Sequence, residues 1–219
     1  MIEQDLGFVL KRFLPAKQKI SVLTKEQGKM NLVISSFASC HRLWPGSLIS
    51  FSPEKFSNTL KNSHSFQSSH ERIDILYVPS VLTGHRLSLI HHILEFCYYF
   101  FPLHEPCEPV FELLMRIIQV TAHSAPKQYE ILLQRLCIVE LLSYSGFFIP
   151  EEFVQLQYLF RRICGKAVDE ANAARISLTR ILETEEDVAL ICFLDAWILK
   201  ALQKHPNFNF FKTIRFIYK

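Results

Sequence analysis

The sequence predicts an α+β protein: an N-terminal five-stranded β-barrel of the OB type, followed by an all-α helical domain. Three short runs rich in β-branched and aromatic residues stand close together between Asp5 and Ser35. Two more precede Pro79. Beyond Pro79 the apolar residues recur at three and four positions rather than at two, which is the helical period.

The first three strands are Gly7–Phe13, Lys19–Thr24 and Lys29–Ser35. Pro15-Ala16 separates the first two, and Glu26-Gln27-Gly28 separates the second pair, as in a meander of antiparallel strands. Ser36–Gly46 reads as a loop that ends on a Pro45-Gly46 turn signal. Leu48, Ile49 and Phe51 make a fourth strand, stopped by Pro53. Ser52–Ser69 is poor in large apolar residues and reads as an exposed connection. Arg72–Val78 alternates, with Ile73, Ile75 and Tyr77 on one face, and forms the fifth strand. Five short strands without a free edge close as an OB-type barrel, and an SH3-like barrel has the same strand count.

Helices are expected over Leu82–Phe101, Val110–Ala122 and Lys127–Tyr144. Pro126 suits a first helical position, and Gly146 suits the position just past a helix end. Pro150-Glu151-Glu152 opens another helix with acids at the positive end of its dipole. Ala167–Leu182 is more polar. Thr184 with Asp187 resembles a capping box and opens a last helix to Lys204, whose apolar face is Leu190, Ile191, Leu194, Trp197, Ile198, Ala201 and Leu202. The domains expected are therefore 1–79 and 80–219.

At 219 residues and 49% apolar, the chain can bury a sizeable core. Residues 1–79 carry ten Lys+Arg against six Asp+Glu, a net +4, and the remainder carries fourteen against fifteen, a net −1. The basic excess belongs to the β-module and points to a polyanionic partner there. The six cysteines form no C-x-x-C pair and most sit among apolar neighbours, as free thiols do in a reducing compartment. Two acids in the first five residues and no long apolar run speak against a signal peptide. No apolar stretch spans a bilayer, so a soluble, cytoplasmic protein without a membrane partner is expected.

No catalytic constellation appears. The chain has no glycine-rich phosphate loop, no G-x-S-x-G and no H-E-x-x-H, so no enzyme and no cofactor are expected. His85, His91, His92, Cys97, His104 and Cys107 fall in a short interval, but only His104-x-x-Cys107 has a close ligand spacing, and packed or surface side chains explain them better than zinc. The basic residues of the β-module are the better signal. Lys11, Arg12, Lys17, Lys19, Lys25 and Lys29 thread the meander and Arg42 follows it. Phe13, Phe37, Trp44, Phe51 and Tyr77 are the aromatics that stack bases if they face outward.

A short basic barrel followed by an all-α domain resembles the bacterial recombination mediator RecO. The residues that carry the resemblance are G-F-V-L-K-R at Gly7–Arg12, T-K-E-Q-G-K at Thr24–Lys29, and L-W-P-G at Leu43–Gly46. Phe111-Glu112-Leu113-Leu114, Gln134-Arg135 with Leu141-Leu142 and Gly146-Phe147, and Phe211-Lys212-Thr213 extend it in order along the chain. The family's basic, glycine-containing segment is replaced here by Ile34–His41, its helix acid by Ile138, and the cysteines of its zinc-binding members are absent from Gly146–Leu159. The resemblance implies that the chain binds and anneals single-stranded DNA, with double-stranded DNA as a further ligand. It also implies that the chain joins RecR, engages the acidic C-terminal tail of single-strand-binding protein, and helps to load RecA. By position, Lys11, Arg12, Lys17, Lys19, Lys25, Lys29 and Arg42 would contact phosphate, and Arg135 would grip the acidic tail. The competing reading is a non-enzymatic adaptor whose barrel binds a protein or structured RNA.

Overall fold

The computed structural model describes residues 4–13, 19–34, 43–51, 67–69, 73–79, 84–121, 127–146, 151, 153–154, 185–214 and 218. Strands come first and helices after, so the protein is α+β. The strands are β1 (Asp5–Phe13), β2 (Lys19–Thr24), β3 (Gly28–Ile34), β4 (Leu48–Phe51), β5 (Gln67–Ser69) and β6 (Asp74–Tyr77). The helices are α1 (His85–Phe100), α2 (Glu108–Thr121), α3 (Lys127–Tyr144) and α4 (Glu185–Gln203).

The chain divides into two compact units. Unit 1 holds Met1–Thr83 with Leu94–Glu112, and unit 2 holds Gly84–Ile93 with Leu113–Lys219. Compared with a single cut at Pro79, unit 1 runs on to Thr83 and also takes the interleaved segment Leu94–Glu112.

Unit 1 is built on one sheet in the order β5-β3-β2-β1-β4-β6. All pairs are antiparallel except β3 with β5, which is parallel. Five of the strands match the expected runs. β5 lies inside the stretch expected to be a connection, because Gln67-Ser68-Ser69 has no apolar alternation to announce it. Among the described residues no ladder joins β5 to β6. The sheet nevertheless curls. Ser69 and Asp74 are five residues apart, a reach of at most about 18 Å. The outer strands of a flat six-stranded sheet lie about 24 Å apart. The concave side is filled by Val9, Ile20, Val22, Met30, Leu32, Ile34, Leu43, Ile49, Phe51 and Ile73, all buried.

Two turns fix the sheet. Between β2 and β3, Gln27 N–H donates to Thr24 Oγ1 at 3.0 Å, and Gly28 takes φ +69°. Before β4, Trp44-Pro45-Gly46-Ser47 forms a turn with Ser47 N–H donating to Trp44 O at 2.9 Å and Gly46 at φ +88°. Pro at the first central position and a positive φ at the second are the requirements of a type II turn.

In unit 2, α3 is buried almost all round from Leu132 to Leu142, as befits a central helix. It packs against α4, which buries Leu194, Ile198 and Leu202. α3 ends where Gly146 takes φ +80° and donates its N–H to Ser143 O at 3.1 Å, as expected of a residue past a helix end. Glu151, Phe153 and Val154 are helical, in keeping with a start near Pro150. Pro126, Thr184 and the polar stretch 167–182 lie outside the described residues. No helix among the described residues is long and apolar enough to cross a membrane.

Gly28 and Gly146 separate two effects of a methyl group. A Cβ on Gly28 would lie 2.0 Å from the backbone oxygen of Glu105, whereas one on Gly146 meets nothing within 4 Å. Gly146→Ala should therefore cost only the positive-φ penalty, about 1 kcal/mol. Gly28→Ala should cost at least about 3 kcal/mol because backbone must also move. Urea unfolding midpoints of the two variants measure the difference. Equal losses would mean that Glu105 does not constrain the turn.

Candidate nucleic-acid interface

The register of β1, β2 and β3 decides which basic side chains share a surface. Cross-strand partners point to the same face. Val9, Val22 and Met30 form one row, and Arg12, Ile20 and Leu32 form another, both on the concave side. Phe8, Leu23 and Lys29, then Lys11, Ser21 and Asn31, then Phe13, Lys19 and Val33 form rows on the convex side. Simple alternation would put Lys11 on the face of Val9. A register shift between Val9 and Lys11 inserts Leu10 as an extra residue and sends Lys11 to the other face.

The convex face carries part of Leu94–Glu112. Phe111 meets Phe8 with ring centroids 5.1 Å apart, and Tyr98 meets Phe13 at 6.3 Å. The Lys11 ammonium lies 4.3 Å from the centre of the Tyr98 ring, 5.3 Å from Phe13 and 5.6 Å from Tyr99. At these distances the ring quadrupoles attract a cation by about 0.5–2 kcal/mol. Lys29 Nζ donates to Tyr98 O at 2.6 Å, while the Lys29 carbonyl accepts from His104 N–H at 2.8 Å. Burial pushes the Lys29 ammonium down to a pKa of about 8. Lys25 Nζ sits 2.8 Å from Glu108 and 3.4 Å from Glu112, and these carboxylates raise its pKa.

Lys11, Lys25 and Lys29, expected to face phosphate, therefore hold internal partners in unit 1. Arg12 and Lys19 are half-buried at the far end of β1 and the start of β2. Arg12 Nε is buried without a hydrogen-bond partner among the described residues. Lys17, Arg42 and Phe37 lie outside the described residues. Of the expected stacking residues, Phe51 is buried in the core, Phe13 packs on Tyr98 and Tyr77 is half-buried. Trp44 is 57% exposed, on the rigid turn before β4. The roles of Tyr98, Tyr99 and Phe111 were not legible from helical spacing. Glu108 and Glu112 did leave a signal, since two acids four apart share one helix face.

Arg135 lies on α3. It was expected to grip an acidic tail, but it is 3% exposed inside unit 2. Its Nε and second terminal nitrogen reach the two carboxylate oxygens of Asp195 at 2.5 and 3.1 Å, and its other nitrogen donates to Gln134. The guanidinium also lies 5.1 Å from the centre of the Tyr218 ring. A fork that already holds one carboxylate in two-point geometry is a structural group.

His92 completes this network. Its Nδ1 lies 2.6 Å from Thr213 Oγ1 and its Nε2 lies 2.9 Å from Tyr218 OH. A neutral imidazole has one donor and one acceptor, which two hydroxyls complement. Burial, and then the charge of Arg135, push His92 down to a pKa of about 3. Burial pushes the Tyr218 phenol well up and likewise raises the Cys97 thiol. Cys97 and Cys137 are buried free thiols, Cys107 is half-buried and Cys192 is exposed. Among the described residues no three His, Cys, Asp or Glu side chains converge as a metal site.

No protein-family model matches the chain, and no curated protein matches it either.

Two titrations follow from this geometry. Lys29 has a folded pKa of about 8 against 10.5 when free. Between these values the unfolded chain holds more protons, so stability should rise by up to about 3 kcal/mol, complete above the free pKa and absent below the folded one. Lys29→Met should flatten that rise in urea titrations from pH 7 to 11. His92 has a folded pKa of about 3 against 6.5. Its contribution is complete above pH 6.5 and is lost as the pH falls toward the folded value, about 2 kcal/mol by pH 5. His92→Gln should remove this acid sensitivity, and a wild-type stability flat between pH 7 and 5 would contradict the buried neutral ring.

Proposed function

We propose that this chain is a non-enzymatic, single-strand nucleic-acid-binding protein of the RecO kind, whose unit 1 is an OB-type barrel. The pairing scheme of the strands is the observation that carries this reading. β1 lies between β2 and β4, β3 pairs in parallel with β5, and β4 pairs with β6. β5 and β6 are consecutive in the chain and stand at opposite ends of the sheet order. Taken as the two halves of one fifth strand, they join those ends and close the ring. A wholly antiparallel SH3-like barrel lacks the parallel pair, so the mixed pairing supports the OB reading.

On such a barrel Arg12 and Lys19 supply phosphate contacts, with Lys17 between them in sequence and Arg42 following β3, and Trp44 offers a ring to a base. Lys11, Lys25 and Lys29 hold the segment Leu94–Glu112 on the sheet. The mediator role is charge neutralisation that lets complementary strands approach, with RecR and the tail of single-strand-binding protein as partners in RecA loading. An adaptor that binds protein is the second reading, favoured by the internal engagement of those three lysines.

Binding to a labelled oligo-dT across salt concentrations tests the reading. Each single-strand phosphate contact contributes about 0.7 to the slope of log affinity against log salt. Arg12→Gln/Lys19→Gln should lower the slope by about 1.4, and Lys25→Gln should leave it unchanged. A slope near zero in the wild type would favour the adaptor. An unchanged slope in the Arg12/Lys19 variant would remove the barrel from the interface.

A further inference from the structure

After Asp195 the sequence contains no acid, while Lys200, Lys204, Lys212, Arg215 and Lys219 give residues 196–219 a net +5. This exceeds the +4 of the whole β-module, in less than a third of its length. Lys200 lies in the last turn of α4, and Lys204, four residues on, prolongs that turn through its N–H to Ala201 O. Both side chains are exposed. The chain then winds through successive tight turns, with Phe208 N–H donating to His205 O at 3.0 Å and Phe210 N–H to Asn207 O at 2.9 Å.

Over residues 210–213 the side chains alternate: Phe211 is 4% exposed and Thr213 is held by His92. Tyr218, further on, is held by His92 against Arg135. Phe210 is 60% exposed and Lys212 is exposed. Phe211 and Thr213 thus anchor the backbone beside the exposed Phe210 ring, which stands in sequence between Lys204 and Lys212. Asn207 and Asn209 add amide donors and acceptors beside it.

We infer that this part of unit 2, with Lys200, Lys204 and Phe210, is a second single-stranded nucleic-acid surface beside that proposed for unit 1. The ammonium groups take phosphates and the Phe210 ring takes a base face. Exposed cations together with an exposed ring are the combination single strands use, whereas a plain polyanion needs only the charge. Two strand surfaces on one chain would also serve annealing.

The test uses the full chain and labelled oligo-dT, with circular dichroism to confirm folding. Lys200→Gln/Lys204→Gln should lower the salt slope by about 1.4, and Phe210→Ala should weaken binding about fivefold or more without changing the slope. The same changes should appear in an Arg12→Gln/Lys19→Gln background. If the C-terminal variants act and the barrel variant does not, the barrel reading fails and this surface stands. The converse overturns this surface alone. A lysine effect without a Phe210 effect would reduce it to general attraction for polyanions and overturn the assignment, and absence of any binding by the wild type would overturn both.

Discussion

One extra residue in β1 determines how unit 1 is assembled. Leu10 breaks the register between Val9, which pairs with Val22, and Lys11, which pairs with Ser21. Without it, the ammonium of Lys11 would enter the face where Val9, Val22 and Met30 are fully buried, at a cost of several kcal/mol for an unpaired charge. With it, Lys11 and Phe13 reach the convex face, where Tyr98 and Tyr99 receive them. The same shift sends Arg12 to the row of Ile20 and Leu32, at the end of the concave face. The bulge therefore sorts the two adjacent basic residues, one into an internal aromatic contact and one toward the rim of the sheet.

Unit 2 is held by a comparable constraint of different chemistry. Arg135 and His92 are buried polar groups, and each is tolerable only because its hydrogen-bonding capacity is met. Asp195 on α4 meets Arg135 on α3, and Thr213 and Tyr218 meet His92 on α1. A polar network of this kind specifies which helix faces meet more sharply than apolar burial does, since a rotated helix would strand a charge. Its second consequence is that Thr213 and Tyr218, well separated from His92 in sequence, are tied to α1 by side-chain hydrogen bonds.

The legible part of the structure was the part set by local periodicity. Ile73 and Ile75 alternate with Asp74 and Leu76, and the strand formed with Ile73 buried and Leu76 exposed. Lys127–Tyr144 and Gly146 gave a helix and its stop to the residue. What escaped was set by partners remote in sequence. Lys25 finds Glu112 from 87 positions away, and Arg135 finds Asp195 from 60. The bulge escaped because Phe8, Val9 and Leu10 are apolar in succession and all buried, so no alternation exists to be broken. β5 escaped because three polar residues pair through backbone alone.

These remote partners change what a count of charges means. The +4 of residues 1–79 was assigned to the β-module as a positive field, but Lys25 is neutralised by Glu108 and Glu112, which the sequence assigns to the helical half. Lys11 and Lys29 point their ammonium groups at rings and a carbonyl within unit 1. Moving Leu94–Glu112 into unit 1 adds four acids, Glu95, Glu105, Glu108 and Glu112, and no Lys or Arg, which cancels the excess. A polyanion is steered by the field at the surface and not by the tally of a sequence interval. Unit 2, counted whole, carries fourteen Lys+Arg against eleven Asp+Glu, a net +3, and Lys200 and Lys204 are exposed on it. The positive pole of this chain is therefore better sought at these lysines of unit 2 and at the Arg12 rim of the sheet than across the lysines of the meander.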